Sequence, residues 1–170
     1  MKKWFKMFCA VGLTLGLTVA AAQAQTAPKV GDAIGDWIFN CQALSATQTV
    51  CVLQQTIVQK ESKKPVMRLT LRKLGKEQKL GLVVNVPLGV YLATGIGGKV
   101  DEGEQFNLIW QSCTKQGCRA ALSLDDGQKT ALKSGKQLFI GFKARPDKDA
   151  VTVAASLKGV TAGLKALGVE

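Results

Sequence analysis

Apolar and polar residues alternate along most of the chain with a period of two, the pattern typical of half-buried β-strands. The clearest case is the segment 66–73, in which three apolar residues face three polar ones: Met67, Leu69 and Leu71 against Arg68, Thr70 and Arg72. This segment predicts a strand with one buried face and a basic outer face. Similar alternation predicts further strands at 36–41, 49–58, 80–86, 105–113, 119–124, 138–142 and 150–157.

Helical patterns are short and few. Residues 126–134 predict one helix that ends at Gly135, and residues 161–167 predict a second one before Gly168. Pro87 cannot donate a ladder hydrogen bond, so it marks the end of a strand or a bulge. Four glycines between residues 89 and 98 predict a stretch rich in turns. About eight strands without alternating helices predict an all-β fold, namely an antiparallel β-sandwich with short helical segments.

The first residues have the organisation of an export signal. A basic segment, Met1–Lys6, precedes an apolar run, Met7–Ala22, and Ala22-Gln23-Ala24 is a signal-peptidase motif. The alternative is an uncleaved membrane anchor, although the run is shorter than the roughly 20 residues that span a bilayer. The sequence therefore predicts a signal peptide at 1–24, a flexible lead at 25–30 and one domain at 31–170.

Cysteine and histidine content narrows the chemistry. The 170 residues include no histidine, which excludes histidine-based catalysis and histidine metal sites. Beyond the signal the chain has four cysteines: Cys41, Cys51, Cys113 and Cys118. In an exported protein they predict two structural disulfides, for which three pairings exist. The short spacings favour the local pairing, 41–51 with 113–118. A zinc site or a redox pair is the alternative, but no C-x-x-C motif is present, so we expect neither metal nor cofactor.

Positive charge suggests the kind of partner. The formal net charge is +11, and three of the lysines that contribute to it belong to the predicted signal. A basic exported domain favours anionic surfaces such as phospholipid, lipopolysaccharide, sulfated glycans or acidic proteins, whereas nucleic acid is not expected outside the cell. The candidate binding patch consists of Arg68, Arg72, Lys73 and Lys76. The alternative is that these residues only prevent edge-to-edge aggregation of strands.

A set of short motifs in a fixed order resembles the invasion-associated locus B family of exported bacterial proteins. The matching features are, in chain order, Trp37 with Cys41, Cys51, Val86-Pro87-Leu88-Gly89-Val90, Cys113 with Gly117-Cys118, and Ser156-Leu157-Lys158-Gly159 before Thr161-Ala162-Gly163-Leu164. The resemblance implies an immunoglobulin-like β-sandwich in the periplasm or at the outer membrane of a Gram-negative bacterium. It also implies a link to host-cell invasion and virulence in pathogenic members, and no catalytic residues.

The sequence thus leads to three functional hypotheses. The first is an exported, disulfide-stapled envelope protein that acts by binding, without enzymatic activity, and meets an unknown envelope or host-surface partner. The second is a periplasmic assembly or stress factor that binds a client protein along an exposed strand or apolar groove. The third is a thiol redox protein, which would need a reducible cysteine of low pKa.

Overall fold

The computed structural model describes residues 27–169, so the predicted signal peptide at 1–24 lies outside the described part of the chain. Ten strands are arranged in chain order: β1 Ala33–Ile34, β2 Trp37–Ser45, β3 Gln48–Val58, β4 Pro65–Leu74, β5 Lys79–Val86, β6 Ile96–Val100, β7 Gln105–Thr114, β8 Gly117–Ser123, β9 Gln137–Phe142 and β10 Val151–Ser156. Two α-helices, α1 Asp126–Ser134 and α2 Val160–Ala166, and one turn of 3-10 helix at Leu92–Thr94 complete the described part of the fold.

All neighbouring strands pair antiparallel, in the order β1-β2-β3-β4-β5-β8-β7-β6-β9-β10. The first five form a meander. Strands β6, β7 and β8 are joined by hairpins, and β8 returns beside β5, which is a Greek-key connection of the kind found in immunoglobulin-like sandwiches. Strand β7 belongs to two layers, because its first half pairs with β6 and its second half, beyond Leu108, pairs with β8.

The sheet folds back on itself so that its two layers face each other. In a flat sheet, β3 and β10 would be about 34 Å apart, at roughly 4.8 Å for each of seven strand spacings. The Nε2 atom of Gln55 on β3 nevertheless donates to the carbonyl oxygen of Ser156 on β10 at 3.2 Å, and the Ser156 amide donates to Gln55 Oε1 at 3.1 Å. The indole of Trp37 donates to the same carbonyl oxygen at 2.9 Å. These contacts close the layers over one apolar core.

The core draws buried side chains from both layers and both helices. Its large, fully buried members are Trp37, Leu53, Met67, Leu69, Leu71, Leu82, Leu132, Leu138, Ile140 and Leu164. Helix α1 begins with a capping box between Asp125 and Gln128, as expected for a helix that starts after an acidic N-cap. The predicted class, an all-β antiparallel sandwich with short helical segments, is confirmed, and the prediction for α1 matches residue for residue.

The glycine-rich stretch differs from its prediction. Residues Ile96–Val100 form strand β6 rather than a series of turns, and the two-residue strand β1 was also missed. Gly98 explains the discrepancy, because it lies opposite Phe106 and a Cβ atom there would be 2.5 Å from the Phe106 ring. The missing side chain leaves room for the aromatic ring of the partner strand, so the glycine here is a packing device and not a turn signal.

Both disulfides join residues that lie directly opposite each other on adjacent strands. Cys41 of β2 is bonded to Cys51 of β3, and Cys113 of β7 is bonded to Cys118 of β8. This is the local pairing that the spacing favoured. Cys118 is buried in the core and the 41–51 bridge packs against it, whereas Cys113 is exposed at the end of β7. Both bridges therefore lie within one layer instead of joining the two.

Candidate functional site

The outward face of the large layer forms an open groove of about 1630 Å³. Cross-strand register arranges its central side chains in three rows. The middle row consists of Gln54, Thr70, Val83, Ala121 and Ile109, of which the last three are apolar, and Ile38 on β2 continues the row beyond the groove lining. Thr70 and Val83 are each only 8% exposed although they face outward. The floor of the groove is thus a narrow, mainly apolar strip.

The two flanking rows are mainly polar and carry the charge. One row consists of Thr56, Arg68, Asn85, Arg119 and Ser112, and the other consists of Asn40, Val52, Arg72, Gly81 and Ser123. Arginines therefore lie on both sides of the apolar strip. Because each strand presents alternate residues to one face, the same alternation that buries the leucines of β4 directs Arg68 and Arg72 into the groove.

Sheet geometry sets the spacing of the three arginines. Arg68 and Arg119 both lie opposite Asn85, one on each neighbouring strand, so their Cα atoms are about 10 Å apart. Arg72 is four residues along β4 from Arg68, which corresponds to about 13 Å. The three guanidinium groups can thus reach a single ligand that lies across the strip.

None of the described residues that line the groove is acidic, and the lining also includes Lys64. Among residues 27–169, none of the ion pairs involves Arg68, Arg72 or Arg119. The Nε atom of Arg72 is buried and has no hydrogen-bond partner within the described part of the chain. Buried polar groups are nearly always paired in folded proteins, so an uncompensated guanidinium beside an apolar floor is typical of a binding site for an anion.

Leu74 shapes one end of the groove. Gly81 lies opposite Arg72 and has no side chain. The side chain of Leu74 occupies the free space, because a Cβ atom built on Gly81 would be 1.9 Å from Leu74 Cδ1. The leucine therefore covers the glycine and extends the apolar floor next to the guanidinium group. An alanine at residue 81 would displace Leu74 from this position.

The structure separates the four residues predicted for the binding patch. Arg68 and Arg72 line the groove, whereas Lys73 alternates to the opposite side of β4 and Lys76 is exposed in the turn after it. The groove instead includes Arg119, which the sequence analysis did not single out. Its position on a strand with a period-two pattern could have shown that it faces outward, but only the strand order places β8 beside β5.

Comparison with known proteins gives the family of the chain. The family model described as "Invasion associated locus B (IalB) protein" matches residues 37–168. The chain belongs to the invasion associated locus B family. It is 31% identical to an invasion protein B homolog from Brucella abortus strain 2308 over 94% of this chain and 95% of that protein. A homolog from Brucella abortus biovar 1 strain 9-941 matches with the same identity and coverage.

The fold of the family is also known from a crystal structure. Invasion associated protein B from Bartonella henselae superposes with a TM-score of 0.71, covers 80% of this chain and 92% of its own, and shares 22% sequence identity. This match supports the sandwich architecture. The family is named for invasion and not for an enzymatic reaction. No helix among residues 27–169 is long and apolar enough to cross a membrane.

Proposed function

We propose that this protein is an exported, disulfide-stapled binding protein of the cell envelope that holds an anionic partner in the groove. The observation that carries the proposal is the set of three arginines around an apolar strip with no carboxylate among the lining residues. The chemistry is recognition and not catalysis. The Brucella relatives are invasion protein B homologs, which supports a role of this binding in contact between bacterium and host.

The arginines define the class of ligand. A guanidinium group presents its donors in a planar fork that fits phosphate, sulfate and carboxylate groups in a bidentate way. The apolar strip between the flanking rows favours a ligand that is nonpolar between its charges. We therefore infer an elongated anionic molecule whose charged groups contact Arg68 and Arg119 on one side of the strip and Arg72 on the other, where the Cα atoms of Arg68 and Arg72 are about 13 Å apart.

Export is supported by two independent features. The N-terminal sequence has the basic segment, apolar run and cleavage motif of a signal peptide. The two disulfides require an oxidising compartment such as the periplasm or the cell surface. Mass spectrometry of the protein recovered from a Gram-negative host tests this part directly, because cleavage after Ala24 would leave Gln25 as the first residue.

Charge reversal in the groove tests the binding proposal. The variant Arg68→Glu plus Arg72→Glu removes two charge-assisted contacts, each of which contributes about 1.5 kcal/mol or more. We expect at least a hundredfold weaker binding to immobilised heparin or lipopolysaccharide. The control is Lys73→Glu plus Lys76→Glu, which changes the net charge equally but outside the groove. Equal loss in both variants, or none in the first, would show that binding depends on overall charge or on another surface.

One observation favours the second hypothesis, binding of a client protein. Strand β10 is the last in the sheet and has no charged residue or proline, the usual protections of an edge strand. Its Ser156 is bound by Gln55, so by alternation the outward backbone groups of Thr152 and Ala154 are the ones open to an added strand. Strand addition should tolerate high salt, whereas binding by the arginines should weaken steeply with ionic strength.

A further inference from the structure

The long Greek-key connection after β5, residues 87–95, exposes large apolar side chains while its backbone is held in place. Leu88, Tyr91 and Leu92 are 58%, 37% and 44% exposed. Val90 between them packs against the core, and the Tyr91 amide donates to the carbonyl oxygen of Lys143 at 2.7 Å. We call residues 87–95 the apolar loop. Its exposed side chains are therefore presented to the outside by a fixed backbone.

Basic residues surround the apolar loop. Continuing the register of β4 and β5 brings Pro65 level with Leu88, so the turn between β3 and β4 lies at the same end of the layer. The turn between β7 and β8 also adjoins the loop, because a Cβ atom on Gly117 would be 3.5 Å from Pro87 Cα. These two turns and the anchor of the loop contribute five lysines and one acidic residue: Lys60, Lys63, Lys64, Lys115 and Lys143, with Glu61. The rest of the turn that begins at Lys143 adds Arg145 and Lys148 with Asp147 and Asp149, so the net charge around the loop is positive.

The opposite end of the same layer has a different charge pattern. There the turn after β4 and the segment after β8 contain Glu77, Asp125 and Asp126. Two lysines at that end are paired with them, since Lys79 contacts Glu77 at 2.7 Å and Lys129 contacts Asp126, whereas Lys76 in the same turn is in no ion pair within residues 27–169. None of the five lysines around the apolar loop takes part in an ion pair within residues 27–169. Uncompensated positive charge and exposed apolar area therefore coincide at one end.

We propose that this end of the protein docks on an anionic phospholipid surface, with Leu88, Tyr91 and Leu92 entering the boundary between headgroups and acyl chains. Lysines near such a surface are attracted by its negative potential, and leucine and tyrosine side chains are favoured at this depth. The mode is peripheral, in keeping with helices too short to span a bilayer among the residues described. It uses residues other than the groove arginines and does not depend on them.

Vesicle co-sedimentation of the purified, oxidised protein tests the proposal. We expect binding to vesicles of phosphatidylcholine with phosphatidylglycerol and little binding to phosphatidylcholine alone. Leu88→Ser plus Leu92→Ser leaves every charge in place and should weaken binding by about tenfold per leucine. Lys60→Gln plus Lys63→Gln should weaken it by about fivefold per lysine. Parent and variants share one N-terminus, so the comparison does not depend on how the leader is processed.

Leu44 provides a matched control, because it is 59% exposed but lies near the other end of the layer, next to the turn after β2. Leu44→Ser should bind vesicles as the parent does. A polarity-sensitive dye on Leu92→Cys should shift to the blue on anionic vesicles, while the same dye on Leu44→Cys should not. The proposal is overturned if the parent binds neither kind of vesicle, or if the double-leucine variant binds as well as the parent. The exposed side chains of the loop would then be assigned to contact with a protein.

The two proposals can fail separately. The double-leucine variant should keep its affinity for heparin, since the groove is unchanged. Suppose that Arg68→Glu plus Arg72→Glu loses heparin binding and that the parent does not bind vesicles. The proposal for the groove would then stand, and the proposal for the lipid surface would be rejected. If vesicle binding depends on Leu88 and Leu92 while heparin binding is unchanged in the arginine variant, the lipid-surface proposal would stand and the groove proposal would be rejected.

Discussion

Gln55 offers a sharp test of how the two layers are held together. Its side chain is 7% exposed and makes three hydrogen bonds to backbone groups: to the carbonyl oxygens of Asp36 at 2.9 Å and Ser156 at 3.2 Å, and from the Ser156 amide at 3.1 Å. Methionine has a similar shape but can replace none of them. We expect the free energy of unfolding of Gln55→Met to fall by about 1 kcal/mol for each bond, plus at least about 1 kcal/mol for the Ser156 amide left unpaired.

The expected loss is thus about 4 kcal/mol, a large fraction of the 5–15 kcal/mol typical of a domain. Urea unfolding of the oxidised protein, followed by near-ultraviolet circular dichroism, measures it by linear extrapolation. The neighbouring Gln54→Met is the matched control. Gln54 faces the groove and accepts only one long bond, from Asn40 Nδ2 at 3.5 Å, so this variant should change stability by about 0.5 kcal/mol or less.

Two results would refute this reasoning. Equal destabilisation by Gln55→Met and Gln54→Met would mean that amide polarity on β3 matters irrespective of the face. A loss below about 1 kcal/mol for Gln55→Met would mean that water or another side chain satisfies the Ser156 amide, and that the contact between β3 and β10 contributes little.

Two further predictions concern backbone contacts. Gly159→Ala should destabilise the fold strongly in the same unfolding assay, because its φ is +96° and a Cβ atom would be 2.0 Å from the carbonyl oxygen of Ile34. The control is Gly31→Ala, where φ is +93° but no atom lies within 4 Å of the added Cβ, so the free energy of unfolding should fall by only about 1 kcal/mol. Backbone amides at the start of β9 donate to Asp101 and lower the pKa of its carboxyl group. Its contribution is therefore present above about pH 4 and lost as pH falls through the lowered pKa, so Asp101→Asn should flatten the acid limb of a stability–pH profile.

The sequence predicted what depends on local pattern. The alternation on β4 placed Arg68 and Arg72 on the outer face, and the structure agrees because side chains of a strand must alternate. The same rule should have excluded Lys73, which was grouped with them only because it is adjacent in sequence. Helix α1 was predicted with its observed bounds because its cap is coded by nearby residues.

What the sequence left out depends on contacts between distant segments. Arg119 joins the groove only because the Greek-key connection returns β8 to β5, and no local pattern specifies that neighbour. Strand β6 was missed because Gly98 accommodates Phe106 across the ladder, a role invisible without the partner strand. The hydrogen bonds of Gln55 join β3 to β10, and their partner Ser156 is 101 residues away in the chain. Each of these features is set by topology and not by propensity.

The position of the disulfides explains how a site made of rows can remain aligned. A slip of one residue in strand pairing would move Arg68 and Arg72 from the groove to the core, since the side-chain period is two. The 41–51 bridge fixes the pairing of β2 with β3 beyond one flanking row, and the 113–118 bridge fixes that of β7 with β8 beyond the other. Each bridge thus fixes one strand pair at one side of the groove, and the 113–118 bridge keeps Arg119 in its row, whereas β4 with Arg68 and Arg72 is held by its ladders to β3 and β5.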